Sequence, residues 1–269
     1  MSRTDDAMSG DPAINAAAGA AAGSAVLFAL FPIDLSKTYM QANGATVGQT
    51  VRALVVNSET PIRRLYRGVL PAVTEQMLNR SMLFGIGSLI KSVVPEQWPE
   101  PARDAASGAG AALIKTSVLH PLDSVKCRWQ LGLPLSELGG LYHGISPAII
   151  RSSFGMAVWL TSRNALERNL PDQIDGPPRH FLAGAMSSLL TDLLTFPFDT
   201  LKKAMQATGA SDKRAGLLSE MARLREEAGL VRFYRGYSAR VVMISMNGAL
   251  FNAAFVAIKG SLSAVSSMR

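Results

Sequence analysis

One pattern recurs three times, in register, along the 269-residue chain. It appears as LFPIDLSKTYMQ at 30–41, as HPLDSVKCRWQ from His120 and as FPFDTLKKAMQ from Phe196. Each copy has a proline, an acid two residues later, a lysine at the fifth position and a glutamine at the ninth. These are Pro32, Asp34, Lys37 and Gln41; Pro121, Asp123, Lys126 and Gln130; and Pro197, Asp199, Lys202 and Gln206. Glycine stands thirteen residues before each proline (Gly19, Gly108, Gly184) and a small residue nine before it (Gly23, Ala112, Ser188). Downstream, each copy reaches an aromatic-basic-glycine triplet at Tyr66, Tyr142 or Tyr234. A tandem repeat limits the chain to like units that bury one another's faces. The units are a polar tail at 1–12 and repeats at 13–101, 102–178 and 179–269.

Each repeat contains two segments long enough for the roughly 20 residues that span a bilayer. They lie at 13–40, 68–93, 104–130, 144–168, 179–206 and 237–262. Forty-eight per cent hydrophobic residues is high for a soluble protein and low for helices immersed wholly in lipid. A bundle with a wet interior reads this way, because each helix keeps a polar stripe. The expected fold is an all-α membrane protein, with six transmembrane helices in three hairpins around a central cavity. The connections at 40–66 and 207–234 show helical patterning, whereas 131–141 is too short for a full helix. The small residues before each proline predict close helix contacts in lipid.

Several function classes drop out. One cysteine excludes an internal disulfide, and no cysteine–histidine spacing suits zinc, so neither metal nor cofactor is expected. No phosphate loop or serine elbow points to an enzyme. The net charge of +7 suits anionic lipids or solutes. Its basic residues are scattered without an aromatic-basic module, which argues against nucleic acid.

Proline inside a helix removes a backbone hydrogen bond and bends the axis. The acid, lysine and glutamine that follow share one helical face. Three bent helices in threefold arrangement converge, so each acid can meet the lysine of the next repeat: Asp34 with Lys126, Asp123 with Lys202, Asp199 with Lys37. The glutamines can hydrogen-bond across these pairs. Buried ion pairs stabilise weakly because desolvation offsets their attraction, so they suit a plug that forms and breaks.

The threefold PxDxxK…Q motif with its triplet resembles the mitochondrial carrier family, over about residues 13–262. The resemblance implies a multi-pass protein of the mitochondrial inner membrane that moves a small metabolite by alternating access. It also implies that the three pairs form a matrix-side gate, and that cardiolipin binds at helix ends. Family members place solute contacts nine residues after the triplet aromatic, which here gives Glu75 with Gln76, Arg151 with Ser152, and Met243 with Ile244. Lys115 and Asp192 lie five or six residues before their prolines, at a depth where ionisable side chains usually face a cavity. Mixed signs suit an amino-acid-like solute. ARVVMISMNGALF (239–251) is similar to the last helix of S-adenosylmethionine carriers. The alternatives are a di- or tricarboxylate carrier, or a transport-inactive scaffold within a membrane complex; a transporter is expected to be a monomer.

The chain departs from the family at the second, cytoplasmic gate. Its acid positions hold Ser88, Asn164 and Val256, its base positions Lys91, Glu167 and Lys259, and its aromatic positions Gly87, Arg163 and Phe255. No acid–base pair survives in cyclic order, so the cytoplasm-open state is expected to dominate.

Overall fold

The computed structural model describes residues 12–95, 97–135, 138–171, 176–208 and 216–267. In chain order its helices are α1 (Pro12–Asn43), α2 (Val47–Val51, continued by a π turn, Arg52–Val56), α3 (Pro61–Leu65), α4 (Val69–Val93) and α5 (Glu100–Leu131). Then come α6 (Leu138–Leu141), α7 (Ile145–Asn169), α8 (Pro177–Thr208), α9 (Leu217–Ala228, continued by a 3-10 turn, Gly229–Tyr234) and α10 (Tyr237–Ser267). The described residues contain no strand. Each of the six long helices, α1, α4, α5, α7, α8 and α10, touches the next, and α10 returns to α1, so they close a ring. Pro32, Pro121 and Pro197 each sit inside a continuous helix. The middle connection holds only the four-residue α6.

Burial departs from that of a soluble protein, for charged groups join the apolar ones inside and large apolar side chains lie outside. Lys37, Gln41, Asp123, Asp199 and Arg232 are buried, while Leu70, Met77, Val118, Met186 and Val242 are exposed. Large apolar patches on an outer surface call for a partner, and lipid is the one that surrounds a bundle on all sides. By length and hydropathy alone, one described stretch, within Leu217–Ser261, would pass as a membrane span. The other long helices spend part of their surface on the polar interior, which lowers their average without shortening them.

The close contacts expected at the small residues before each proline are not seen at Gly19 or Gly184, whereas Ala112 is buried. A Cβ added at Gly184 would meet nothing within 4 Å, and one at Gly19 would touch only Phe255 at 3.9 Å. Gly108 falls outside the residues whose surroundings are described. Close approach occurs instead at Gly155 of α7, whose added Cβ would lie 3.4 Å from Thr195 of α8. The tightest backbone approaches are at the triplet glycines. Gly68, Gly144 and Gly236 have φ of 85°, 87° and 90°, a region open to glycine at little cost. A Cβ there would lie 3.2 Å from Gln130 Cγ, 3.0 Å from the Lys202 carbonyl and 3.2 Å from the Lys37 carbonyl, respectively. The triplets thus dock onto the turns that carry the repeated lysines and glutamines.

Helix ends are closed by arginines. Arg232 is buried and donates to the carbonyls of Gln41 (2.8 Å) and Ala42 (3.0 Å) at the end of α1. Arg128 donates to Pro134 (2.7 Å) and Gln206 (3.1 Å), holding the short middle connection against the end of α8. Carbonyls at a helix terminus lack intrahelical partners, so a guanidinium there meets both hydrogen bonding and the helix dipole. Arg232→Met is expected to cost ~2 kcal/mol, in the range of hydrogen bonds to a charged group. Thermal unfolding in mild detergent checks this; an unchanged midpoint would refute the capping role.

Candidate functional site

The repeated face places its charges at the centre of the ring. Lys37 Nζ lies 2.7 Å from Asp199, Lys126 Nζ 3.1 Å from Asp34, and Lys202 Nζ 2.8 Å from Asp123. Gln41 donates to Asp199 (3.0 Å) and Gln130 to Asp34 (3.1 Å), and Gln206 donates to Asp123. These contacts link α1, α5 and α8 in a single layer. The layer is not symmetric. Lys203 adds a second ammonium to Asp123 at 3.0 Å and donates to the Gln206 side-chain oxygen, whereas that oxygen is buried without a partner in Gln41 and Gln130. The sequence signal for this is the doubled lysine of the third copy.

Two cavities abut this layer, and a third adjoins the second of them. One of about 380 Å³ is lined by Asp34 and Lys126 together with Glu75, Gln76, Asn79, Arg240, Met243 and Asn247. A second, about 170 Å³, shares Glu75 and Asn79 and adds Lys115, His120, Asp123, Arg151, Ser152 and Lys202. A third, about 470 Å³, shares Lys115, Arg151 and Ser152 and reaches Asp192 and Trp159. Shared walls make them one branched space. Of the eight expected solute contacts, seven line it. Ile244 lines none of the three, because its place on α10 is one step off the face that carries Met243 and Asn247.

The cavity charges are partly paired. Asp192 takes Arg240 at 3.1 Å and Arg151 at 3.8 Å. Arg151 also lies 3.4 Å from Asp199, so one guanidinium spans the cavity wall and the ion-pair layer. Glu75 lies 3.6 Å from Lys126, a second bridge of the same kind. Among the described residues Lys115 has no carboxylate within 4.0 Å. Arg240 was not singled out by sequence, although it stands three residues before Met243 and so shares its face.

At the other end of the ring, Glu167 is engaged by its own helix and by the start of α8. Its carboxylate takes Arg163 at 3.0 Å and His180 at 3.1 Å, and Arg179 donates to its carbonyl at 2.9 Å. Asn164 and Val256 are exposed, and Phe255 stacks on Phe251 at 6.1 Å. The side chains of Gly87, Ser88 and Lys91 lie outside the described residues.

A family model described as "Mitochondrial carrier protein" matches residues 9–98 and 175–265. Mitochondrial ornithine transporter 1 of Mus musculus is 26% identical, over 91% of this chain and 94% of the relative. The probable mitochondrial 2-oxodicarboxylate carrier of Schizosaccharomyces pombe is 24% identical, over 89% and 90%. Mitochondrial succinate-fumarate transporter 1 of Arabidopsis thaliana is 23% identical, over 92% of each. The middle of the chain, between the two matched regions, is where the connection is short and Arg128 does the capping. Family match, near full-length relatives and an all-helical ring agree: this chain belongs to the mitochondrial carrier family, and is a multi-pass transporter of the mitochondrial inner membrane rather than an enzyme.

Proposed function

We propose that this mitochondrial carrier moves a zwitterionic, amino-acid-like or S-adenosylmethionine-like metabolite by alternating access, with the Asp–Lys layer as its matrix-side gate. The observation that carries the reading is the mixed charge of the branched cavity. Lys115, with no carboxylate within 4.0 Å among the described residues, offers an ammonium to a carboxylate, while Glu75 and Asp192 offer carboxylates to an amine. A multiply charged anion would have to sit beside both acids. Each acid already leans on a residue of the ion-pair layer, Glu75 on Lys126 and Asp192 through Arg151, so a solute amine would compete for them and loosen the layer. The solute named for the ornithine relative is of this class. With the pairs made, the cavity is closed toward the matrix, and anionic lipid such as cardiolipin occupies the helix ends outside it.

The named solutes of two other relatives support a dicarboxylate as the second reading. Uptake of labelled ornithine, S-adenosylmethionine, succinate and 2-oxoadipate into proteoliposomes separates them. Saturable uptake of ornithine or S-adenosylmethionine is expected. Uptake confined to the dicarboxylates would replace the first reading by the second. Background flux for all, with stoichiometric co-purification in a larger complex, would mark a scaffold.

A further inference from the structure

The residue before each repeated proline stacks on the tyrosine of its own triplet. Phe31 lies on Tyr66 with ring centroids 6.1 Å apart, and Phe196 on Tyr234 at 6.3 Å. In the middle repeat the same place is taken by His120, stacked on Tyr142 at 6.2 Å. The three rings fill equivalent sites, and only the middle one carries nitrogen.

That nitrogen is poorly served. His120 Nε2 lies 3.2 Å from the His143 carbonyl, and a carbonyl can only accept, so Nε2 holds the proton. Nδ1 is then a bare acceptor in the neutral ring. His120 is 2% exposed, and Nδ1 is buried with no hydrogen-bond partner among the described residues. The nearby donors are committed elsewhere. Lys202, Lys203 and Gln206 all converge on Asp123, and the Thr116 hydroxyl pairs with that of Ser152 at 2.9 Å. A buried acceptor left without a donor shifts a two-state equilibrium by about tenfold or more against the state that buries it.

We infer that His120 is a positioning residue of the gate: its unpartnered Nδ1 burdens the closed layer at Asp123 and so favours opening toward the matrix, where water can reach it. This rests on the reading of the Asp–Lys layer as a gate, but not on the identity of the solute. Asp123 lies one turn beyond His120 on α5, so the burden falls on the pair that Lys203 reinforces. The middle repeat thus opposes an over-bound acid with an under-bound imidazole, whereas Phe31 and Phe196 add no such burden to the pairs at Asp34 and Asp199, where the unpartnered acceptors are the Gln130 and Gln41 side-chain oxygens.

Cys127, the only cysteine, reports on the layer from the residue after Lys126, and it is fully buried here. Its labelling by N-ethylmaleimide in proteoliposomes should track opening. His120→Phe, which copies the other two repeats, is expected to slow labelling about tenfold, without lowering the unfolding midpoint. Phe31→His, with the Arg67 carbonyl in the register of His143, is expected to speed it. Labelling that is unchanged or faster in folded His120→Phe overturns the inference. Should that variant fail to fold, Phe31→His decides, and unaltered labelling there overturns it equally. A wild-type Cys127 that never labels would overturn both this inference and the gate. Labelling that ignores the histidine, with uptake intact, defeats the inference alone.

Discussion

Asp34→Lys should reduce transport by about a hundredfold or more, and adding Lys126→Asp should recover part of it. The single change removes the acid that holds Lys126 at 3.1 Å and puts a second ammonium in its place, with Lys37 three residues away on the same helix face. Breaking a fully buried pair by losing one partner costs ~3–5 kcal/mol; Asp34 and Lys126 are about a fifth exposed, so the lower end applies, about two orders of magnitude in an equilibrium. The double change restores opposite signs across the same gap, and Gln130 can turn its amide to present oxygen instead of nitrogen. Recovery should be incomplete for a specific reason. Lys126 also lies 3.6 Å from Glu75, so an aspartate at 126 faces a second carboxylate. Initial uptake rates in proteoliposomes read the effect as a double-mutant cycle. Equal loss in the single and double variants would show that the pair does not act as a unit.

Lys115→Ala should raise the KM for the solute by roughly ten- to a hundredfold, the worth of a charge-assisted hydrogen bond, and leave thermal stability nearly unchanged. The two halves of this expectation come from one feature. Lys115 lines two branches of the cavity but has no carboxylate within 4.0 Å among the described residues, so its removal leaves no native partner stranded. Arg151→Ala should behave differently. Its guanidinium lies near both Asp192 and Asp199, and its loss leaves two acids less compensated, so stability and transport should fall together. Comparing unfolding midpoints with uptake kinetics for the two variants separates solute recognition from support of the layer. A stability loss in Lys115→Ala as large as in Arg151→Ala would contradict this division.

Scarcity of sequence signal explains what the end of the ring away from the ion-pair layer concealed. From register alone, Glu167 stands at a base position opposite Ser88. In the folded chain it is held by Arg163, one turn earlier on its own helix, and by His180 across the loop. An i,i+4 pair is always within reach, whatever the neighbouring helices do. A cross-ring partner is not, and register cannot say which of the two captures the acid.

The repeat determined a great deal by itself. Three copies in register require three like units, and six helices follow from two apolar segments per unit. Proline, acid, lysine and glutamine at fixed offsets share a face because helical periodicity is a local property of the chain. Tertiary structure decided what periodicity leaves open, namely which charge reaches which. Arg151 bridging Asp192 and Asp199, Arg240 on Asp192, Lys203 on Asp123 and Glu75 beside Lys126 each depend on separations between helices far apart in sequence. Charge interactions weaken with distance, and hydrogen bonds are lost within a few tenths of an ångström. The spacing of a motif can therefore place charges on one face of a helix, but only the packed ring sets the gaps that choose their partners.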